Sequence, residues 1–238
     1  MKNFTKDQQF IYYKDGNFEI YFSIGEKNYN KKLECGRKNI ESLAEEFNLK
    51  FIKYLTQIHS DKVIQVTDMN EDVRNEEADG MISSLNNIGL GVFYADCVPV
   101  IIYDKIKGVI AAVHSGWKGT YGEIVKNAVN VIINNYDSKA SDIKVIIGPH
   151  IRQCCYEISE ELKEKFNSKE SFSEVELFEG RNLSLEKAII KSLIDKNIEY
   201  ENIECVDICT CCEKNIKLHS YRRDGLEAGR CYAFVVKR

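Results

Sequence analysis

Residues 88–113 have the sequence IGLGVFYADCVPVIIYDKIKGVIAAV, which contains three apolar runs in quick succession over 88–95, 98–103 and 108–113. Each run is short and contains β-branched residues, which favours strands over helices. The stretch therefore predicts three successive strands, and the polar residues at their ends become candidates for a site.

Further strands and helices are predicted on both sides of these runs. The strands lie near 18–24, 51–56, 62–67, 143–147, 203–208 and 232–236, and the helices near 39–49, 157–166 and 184–196. Many short strands mixed with helices, without regular βαβα alternation, indicate an α+β layered sandwich of helices and mixed β-sheets rather than a Rossmann sheet. Because no repeat or Gly/Ser/Pro-rich linker interrupts the chain, we expect a single domain over 1–238.

The segment after the third run, HSGWKGTYGE, is predicted to turn from a strand into a helix. Thr120 and Glu123 match a capping box, so the helix is expected to begin at Thr120. Its buried stripe would comprise Ile124, Ala128, Val131 and Ile132. Such a strand-to-helix turn is a usual place for a ligand site.

The composition excludes several classes of protein. The chain has 238 residues, with 33 Lys and Arg against 37 Asp and Glu, and this mildly acidic balance disfavours nucleic-acid binding. No run approaches the roughly 18 apolar residues that cross a membrane, and the first residues do not resemble a secretory signal. We therefore expect a cytoplasmic protein, in which nine cysteines are not a disulfide framework.

Three of the thiol and imidazole side chains stand at predicted element ends. His59 lies in a loop, Cys97 ends one apolar run, and His114 ends another. Two imidazoles and a thiolate suit Zn²⁺ with one coordination position left open. The spacing leaves two alternatives, since Cys97 could be a packing residue beside two structural histidines, or a nucleophile with His114 as its base.

The other cysteines are grouped near Cys154-Cys155 and over Cys205–Cys212. The members of the second group are Cys205, Cys209, Cys211 and Cys212, whose successive spacings of four, two and one residues are not those of a zinc ribbon. We expect both groups to be packing residues. No role is predicted for His150 or His219.

Basic side chains near two turns predict an anion site. Arg222, Arg223 and Arg230 lie in or after HSYRRDG, and Lys118 lies between Gly116 and Gly119 at a predicted helix start. Helix N-termini and cationic side chains bind phosphate or carboxylate groups. Arg and Lys in turns are usually only solvated, which is the alternative to an anion site, and Trp117 could stack on a base, although packing is its default role.

Taken in order, eight segments resemble the peptidoglycan-editing-factor and purine nucleoside phosphorylase family, long labelled laccase-domain or polyphenol oxidase proteins. The segments are QIHSDKV, EADGMISS, YADCVPVIIYD, AAVHSGWKGTYGEIV, IGPHIRQCCYEIS, CTCC, HSYRRDG and AGRCYAFVV. The similarity runs from about Gln57 to Val236. It implies a single sandwich domain with a zinc site formed by His59, Cys97 and His114.

The resemblance also implies phosphorolysis of adenosine, inosine and methylthioadenosine, with adenosine deamination. A purine nucleoside and inorganic phosphate would then be the binding partners. Arg222, Arg223 or Arg230 would hold the phosphate, and Asp96 would orient a ligand or handle a proton, with Glu157 a weaker candidate for that role. Lys118 stands where the family often has Arg, and Ala228 where it usually has Thr, so phosphate affinity is expected to differ.

Three rival functions remain open on the sequence. Four histidines without a His-x-His pair cannot supply a multicopper oxidase, but a single copper with an axial Met69 or Met81 is a formal alternative to zinc. A hydrolase with Cys97 as nucleophile, acting on peptidoglycan precursors, is the second. A protein that binds nucleotides without turnover is the third.

Overall fold

The computed structural model describes residues 4–238, which form short strands, six α-helices and four single-turn 3₁₀ helices. The strands are β1 (Thr5–Lys6), β2 (Phe10–Asp15), β3 (Phe18–Ser23), β4 (Phe51–Lys53), β5 (Val63–Gln65), β6 (Gly80–Ser83), β7 (Ile88–Tyr94), β8 (Val98–Asp104), β9 (Val109–Ser115), β10 (Ile143–Ile147), β11 (Phe178–Glu179), β12 (Asn182–Leu183), β13 (Ile203–Cys205) and β14 (Cys231–Lys237). The helices are α1 (Glu34–Glu46), α2 (Trp117–Tyr121), α3 (Ile124–Tyr136), α4 (Glu160–Asn167), α5 (Leu185–Ile194) and α6 (Tyr221–Asp224).

Two six-stranded sheets form the middle of the molecule. The first has the order β1-β2-β3-β14-β7-β4, and the second has the order β13-β10-β8-β9-β6-β5. Both are mixed, because β4 pairs in parallel with β7, β5 with β6 and β13 with β10, while the other pairs are antiparallel. A small hairpin of β11 and β12 stands apart.

Alternation along the central strands explains the layering. In β8, Val100 and Ile102 pack with the helical layer of α3 and α5, whereas Ile101 and Tyr103 pack between the two sheets. Successive side chains of a strand point to opposite faces, so a strand that is apolar throughout must be covered on both sides. Helix α1 covers the outer face of the first sheet through Ile40 and Leu43. The predicted α+β layered sandwich is confirmed.

The helix after β9 differs from the prediction at its start. Helix α2 begins at Trp117, so Thr120 lies within it, and the Thr120 hydroxyl is 2.8 Å from that of Ser115 instead of capping a helix. Glu123 takes a left-handed φ of 57° between α2 and α3 and provides no side-chain cap. The predicted capping box is therefore wrong, because Gly122 and Glu123 break the segment into two helices.

The buried stripe of α3 is close to the predicted one. Ile124, Ala128 and Ile132 are buried, Val131 is half-buried, and Val125 and Val129 complete the face. The first strand of the β2–β3 hairpin was not predicted, although Gly16-Asn17 is a typical two-residue hairpin turn and Gly16 has a φ of 63°. Within residues 4–238, no helix is long and apolar enough to cross a membrane.

Candidate metal centre

A cleft of about 610 Å³ opens beside the ends of β7 and β9, which belong to different sheets. His59 reaches it from the loop between β4 and β5, Cys97 from the turn between β7 and β8, and His114 from β9. The antiparallel pairing of β8 with β9 brings the last two together, since Val98 pairs with Ser115.

The three side chains are close enough to share one ion. Their ligand atoms all lie within 4.8 Å of one another, and Cys97 Sγ is 3.9 Å from His59 Nε2. The two imidazole rings meet edge to face, with centroids 4.9 Å apart. Gly116 leaves room for this cluster, because a Cβ there would lie 3.0 Å from both Cys97 Sγ and His59 Cδ2.

The buried carboxylate of Asp79 fixes two of these side chains. Nδ1 of His114 donates to its Oδ1 at 2.8 Å, and the backbone N–H of His59 donates to the same oxygen at 3.0 Å. The other oxygen accepts from the backbone and the hydroxyl of Ser60, at 2.7 and 2.8 Å. Asp79 thus holds the His59 loop and selects the His114 tautomer that leaves Nε2 free for a metal.

The polar contacts set the protonation of the cluster. Burial alone would raise the pKa of the Cys97 thiol, but the charge of His114 and hydrogen bonds from His114 and His59 lower it to about 6. Burial opposes protonation of His114, yet Cys97 and Asp79 raise its pKa to about 9. Hydrogen bonds from His114 and Ser60 overcome burial and hold the pKa of Asp79 at about 2. The thiolate needed by a metal is therefore already favoured.

The donor set fits a metal ion with one open side. Two imidazole nitrogens and a thiolate are borderline-soft ligands of the kind that zinc takes, and the cleft leaves space for a fourth ligand. Met81 is fully buried between the sheets and Met69 is partly buried against the same core, and neither lines the cleft. An axial Met on a copper ion is therefore not provided by these two residues.

Arg222 and Arg230 are the predicted cations that line the cleft. Arg222 donates to the carbonyl oxygens of Cys155 and Glu157, both at 2.9 Å, and its guanidinium lies over the Tyr156 ring at 5.3 Å. Arg230 donates to the carbonyl oxygens at 228 and 229. Each guanidinium has five N–H groups, so donors remain for an anion in the cleft.

Asp96 holds Arg222 in place. Its Oδ2 accepts from the Arg222 backbone N–H at 2.6 Å, and its Oδ1 accepts from the Thr210 hydroxyl at 2.6 Å. The residue is nearly buried, lines the cleft and has a φ of 91°, a conformation that non-glycine residues adopt under strain. With both oxygens engaged, its carboxylate is placed to position Arg222.

The structure places other predicted residues away from the cleft. Arg223 donates to the carbonyl oxygens of Thr210 and Leu218 and pairs with Asp224. Trp117 is half-buried against the helical layer, and the exposed Lys118 lies over its ring. The Glu157 carboxylate pairs with Arg181 at the surface.

The histidines without a predicted role have structural partners. Nδ1 of the buried His150 lies 2.8 Å from the carbonyl oxygen of Gly148, and Nε2 of His219 lies 3.2 Å from that of Lys27. Neither lines the cleft.

Sequence reasoning missed several residues of the site. The only signal for Asp79 in the sequence is its position, directly before the apolar strand β6. Gln57 exchanges hydrogen bonds of 2.9 and 2.7 Å with the backbone of Phe93 and so joins the His59 loop to β7. Lys31 and Lys32 add two cations to the cleft from the segment before α1, where no motif marks them.

Comparison with known proteins adds independent findings. A model of the family described as multi-copper polyphenol oxidoreductase laccase matches residues 22–238. A purine nucleoside phosphorylase of Clostridium acetobutylicum is 44% identical over 231 residues, and the match covers 96% of each chain. A purine nucleoside phosphorylase of Campylobacter jejuni is 34% identical over 205 residues and is matched over 85% of each chain.

Two solved structures share the fold. The hypothetical protein YfiH of Bacillus licheniformis has a TM-score of 0.87 and 24% identity, with 99% of each chain covered. YlmD of Geobacillus stearothermophilus has a TM-score of 0.86 and 22% identity, and the match covers 99% of this chain and 98% of that one. At such identities the likeness establishes the fold.

Proposed function

The chain belongs to the family described as multi-copper polyphenol oxidoreductase laccase. Within that family, we propose that it is a zinc-dependent purine nucleoside phosphorylase. The names of its relatives support this activity. One observation carries the proposal: the His59, Cys97 and His114 cluster lies in a cleft that Arg222 and Arg230 also line. A metal ion held by this cluster and an anion held by the arginines would thus contact the same substrate.

His59, Cys97 and His114 would hold the zinc ion. When bound, zinc supplies a Lewis acid to the cleft. Asp79 accepts from Nδ1 of His114, so Nε2 would be the nitrogen available to the ion. The copper alternative is disfavoured because neither Met69 nor Met81 lines the cleft.

Inorganic phosphate would bind to the guanidinium groups of Arg222 and Arg230. Asp96 and the carbonyl oxygens of Cys155 and Glu157 fix Arg222 before the anion arrives, so little side-chain ordering remains. Lys31 is held by the Thr56 hydroxyl at 2.8 Å and adds positive charge at the same rim. Arg223 has no place in this contact because its donors are engaged elsewhere.

The nucleoside would lie along the aromatic side of the cleft, where Phe93, Tyr156 and Tyr221 are available to contact the base. In phosphorolysis a phosphate oxygen bonds to C1′ as the bond from C1′ to the base nitrogen breaks. The purine takes a proton as it departs, and ribose 1-phosphate remains, or 5-methylthioribose 1-phosphate when the substrate is methylthioadenosine. Adenosine, inosine and methylthioadenosine are the proposed substrates.

Adenosine deamination is proposed as a second activity of the same site. Water adds at C6 of the purine, ammonia leaves, and inosine results. Both reactions would require the three ligands, whereas only phosphorolysis would require the phosphate-binding arginines. Loss of Arg222 should therefore separate the two activities.

A thiol hydrolase is the second candidate, and one observation favours it. Cys97, His114 and Asp79 form a series in which the thiol contacts an imidazole that a buried carboxylate orients. This is the arrangement of a cysteine nucleophile with its base and orienting group. The two candidates differ in their need for metal, since the hydrolase would be active without it.

The deciding experiment measures hypoxanthine and ribose 1-phosphate from inosine, with and without phosphate, in zinc-loaded and metal-free protein. We expect turnover that depends on both zinc and phosphate and disappears in Cys97→Ala. Cys35→Ala, at an exposed position on α1, is the matched control and should retain activity. Zinc-loaded protein that turns over no purine nucleoside would overturn the proposal, and activity in metal-free protein would favour the hydrolase.

A further inference from the structure

Four cysteine side chains meet at a second place in the fold. Cys154 and Cys155 come from the loop between β10 and α4, and Cys209 and Cys212 come from the loop after β13. Their sulfur atoms all lie within 4.8 Å of one another, and Cys154 Sγ is 3.7 Å from the sulfur atoms of Cys155 and of Cys212. We call this group the thiol tetrad.

The spacing of the tetrad is that of a tetrahedral metal site. Zinc–sulfur bonds of about 2.3 Å place the four sulfur atoms of a tetrahedral site about 3.8 Å apart. A disulfide needs a bond of about 2.05 Å. The sulfur atoms therefore already stand near the separations that one ion would impose, and much farther apart than a covalent bridge requires.

The backbone around Cys209 is arranged to support a thiolate. The buried sulfur accepts a hydrogen bond from the backbone N–H of Arg152 at 3.4 Å and further backbone hydrogen bonds from Cys211 and Cys212. Such N–H donors act as the outer shell that orients and stabilises a metal ligand. Cys209 and Cys212 also have the Cys-x-x-Cys spacing of zinc sites, which comparison of successive cysteines alone does not reveal.

We propose that Cys154, Cys155, Cys209 and Cys212 bind one Zn²⁺ ion as a closed tetrathiolate site, distinct from the site of His59, Cys97 and His114. Four thiolates fill the coordination of zinc, so the site is structural and leaves no position for a substrate. Cys154 and Cys212 are exposed, which gives the ion a path from solvent. Zinc binding by the thiol tetrad is independent of which reaction the cleft performs.

The bound ion would fasten together the two loops that position the cleft. The first loop supplies the carbonyl oxygen of Cys155 to Arg222, and the second supplies the carbonyl oxygens of Thr210 and Cys211 to Arg223. The Thr210 hydroxyl also reaches Asp96. Zinc in the tetrad therefore stabilises the groups that hold Arg222, although it touches no substrate.

The experiment counts zinc in a chain that lacks the first site. His59→Ala with Cys97→Ala removes two ligands of the cleft cluster, and metal analysis of the purified double variant should find one zinc per chain. Adding Cys212→Ser should remove that zinc. Cys205→Ser and Cys211→Ser are matched controls, because both cysteines lie in the same sequence group but outside the tetrad, and each should leave one zinc.

X-ray absorption at the zinc edge provides the second readout. The double variant should show four sulfur neighbours at about 2.3 Å and no imidazole scattering. Absence of zinc from the double variant under reducing conditions would overturn the proposal, as would a ligand shell containing nitrogen. An iron–sulfur chromophore, or a disulfide among these cysteines in freshly reduced protein, would also overturn it.

Discussion

Nδ1 of His114 lies 2.8 Å from Oδ1 of Asp79, and both side chains are buried, with His114 in the wall of the cleft. The carboxylate also accepts hydrogen bonds from the His59 loop. One anion thus orients the ring of His114 and the backbone of His59, two of the candidate metal ligands. The candidate metal centre is thus held in place by a residue outside the proposed ligand set.

Asp79→Asn should lower zinc affinity by roughly 10- to 100-fold, the usual effect of removing a group that orients a ligand. The amide would donate to Nδ1 of His114, so Nε2 would carry the proton and could not bind metal. Competition with a coloured chelator measures the affinity. Asp104→Asn is the control, since Asp104 is equally buried and caps the turn at 105–107, and equal affinity loss in both variants would contradict the role given to Asp79.

Metal-free protein should alkylate at Cys97 with a midpoint near pH 6, because the pKa of the thiol is lowered to about 6. The lowered pKa means that thiolate predominates at neutral pH and is lost only as the pH falls through that value. A cysteine in a short unstructured peptide with blocked ends, whose thiol pKa is about 8.5, is the reference. Peptide mapping after iodoacetamide treatment measures the rate, and one equivalent of zinc should suppress it. A pH profile that follows the reference thiol would refute this expectation.

Gly116→Ala should weaken metal binding with little change in folding. The added Cβ would lie 3.0 Å from Cys97 Sγ and from His59 Cδ2, and crowding of this kind costs about 1–3 kcal/mol, which corresponds to roughly 5- to 150-fold in affinity. Gly180→Ala provides the opposite case. Its Cβ meets nothing within 4 Å but its φ is 61°, so it should lower the melting temperature and leave zinc affinity unchanged.

Arg222→Ala should weaken phosphate binding, whereas Arg223→Ala should weaken the fold. Loss of the Arg222 contact should raise the KM for phosphate by roughly 10- to 150-fold, the equivalent of a charged hydrogen bond of about 1.5–3 kcal/mol. Arg223→Ala removes the hydrogen bonds to the carbonyl oxygens of Thr210 and Leu218 and should lower the free energy of unfolding by about 1–3 kcal/mol.

Steady-state kinetics and urea denaturation separate these two effects. Arg181→Ala is the control. Arg181 pairs at the surface with Glu157, whose carbonyl oxygen accepts from Arg222, and its loss should change neither the KM for phosphate nor the free energy of unfolding greatly. If Arg223→Ala raised the KM for phosphate while its stability stayed that of the unmodified chain, the assignment of the two arginines would have to be reversed.

The central strands were predictable because their apolar runs are continuous and bounded by polar residues. The same runs put Cys97 and His114 at element ends, which is why they stood out as ligands. Asp79 was not predictable in this way, since its importance lies in four hydrogen bonds that form only after the His59 loop closes on it.

The thiol tetrad shows why proximity in sequence is a poor guide to a ligand set. Cys205 and Cys211 are neighbours of Cys209 along the chain, yet neither belongs to the tetrad. Cys154 is 55 positions from Cys209 and does belong, because the backbone N–H of Thr210 donates to the carbonyl of His150 and holds the two loops together. Only the fold decides which thiols meet.

Strand β14 occupies residues 231–237 and lies between β3 and β7 in the first sheet. Both of its edges are therefore paired, one with a strand from near residue 20 and the other with a strand from near residue 90. During synthesis, β3 and β7 must wait with unsatisfied edges until residue 237 has left the ribosome. The first sheet thus closes late, and until then the facing edges of β3 and β7 lack their strand partner, a condition that favours aggregation.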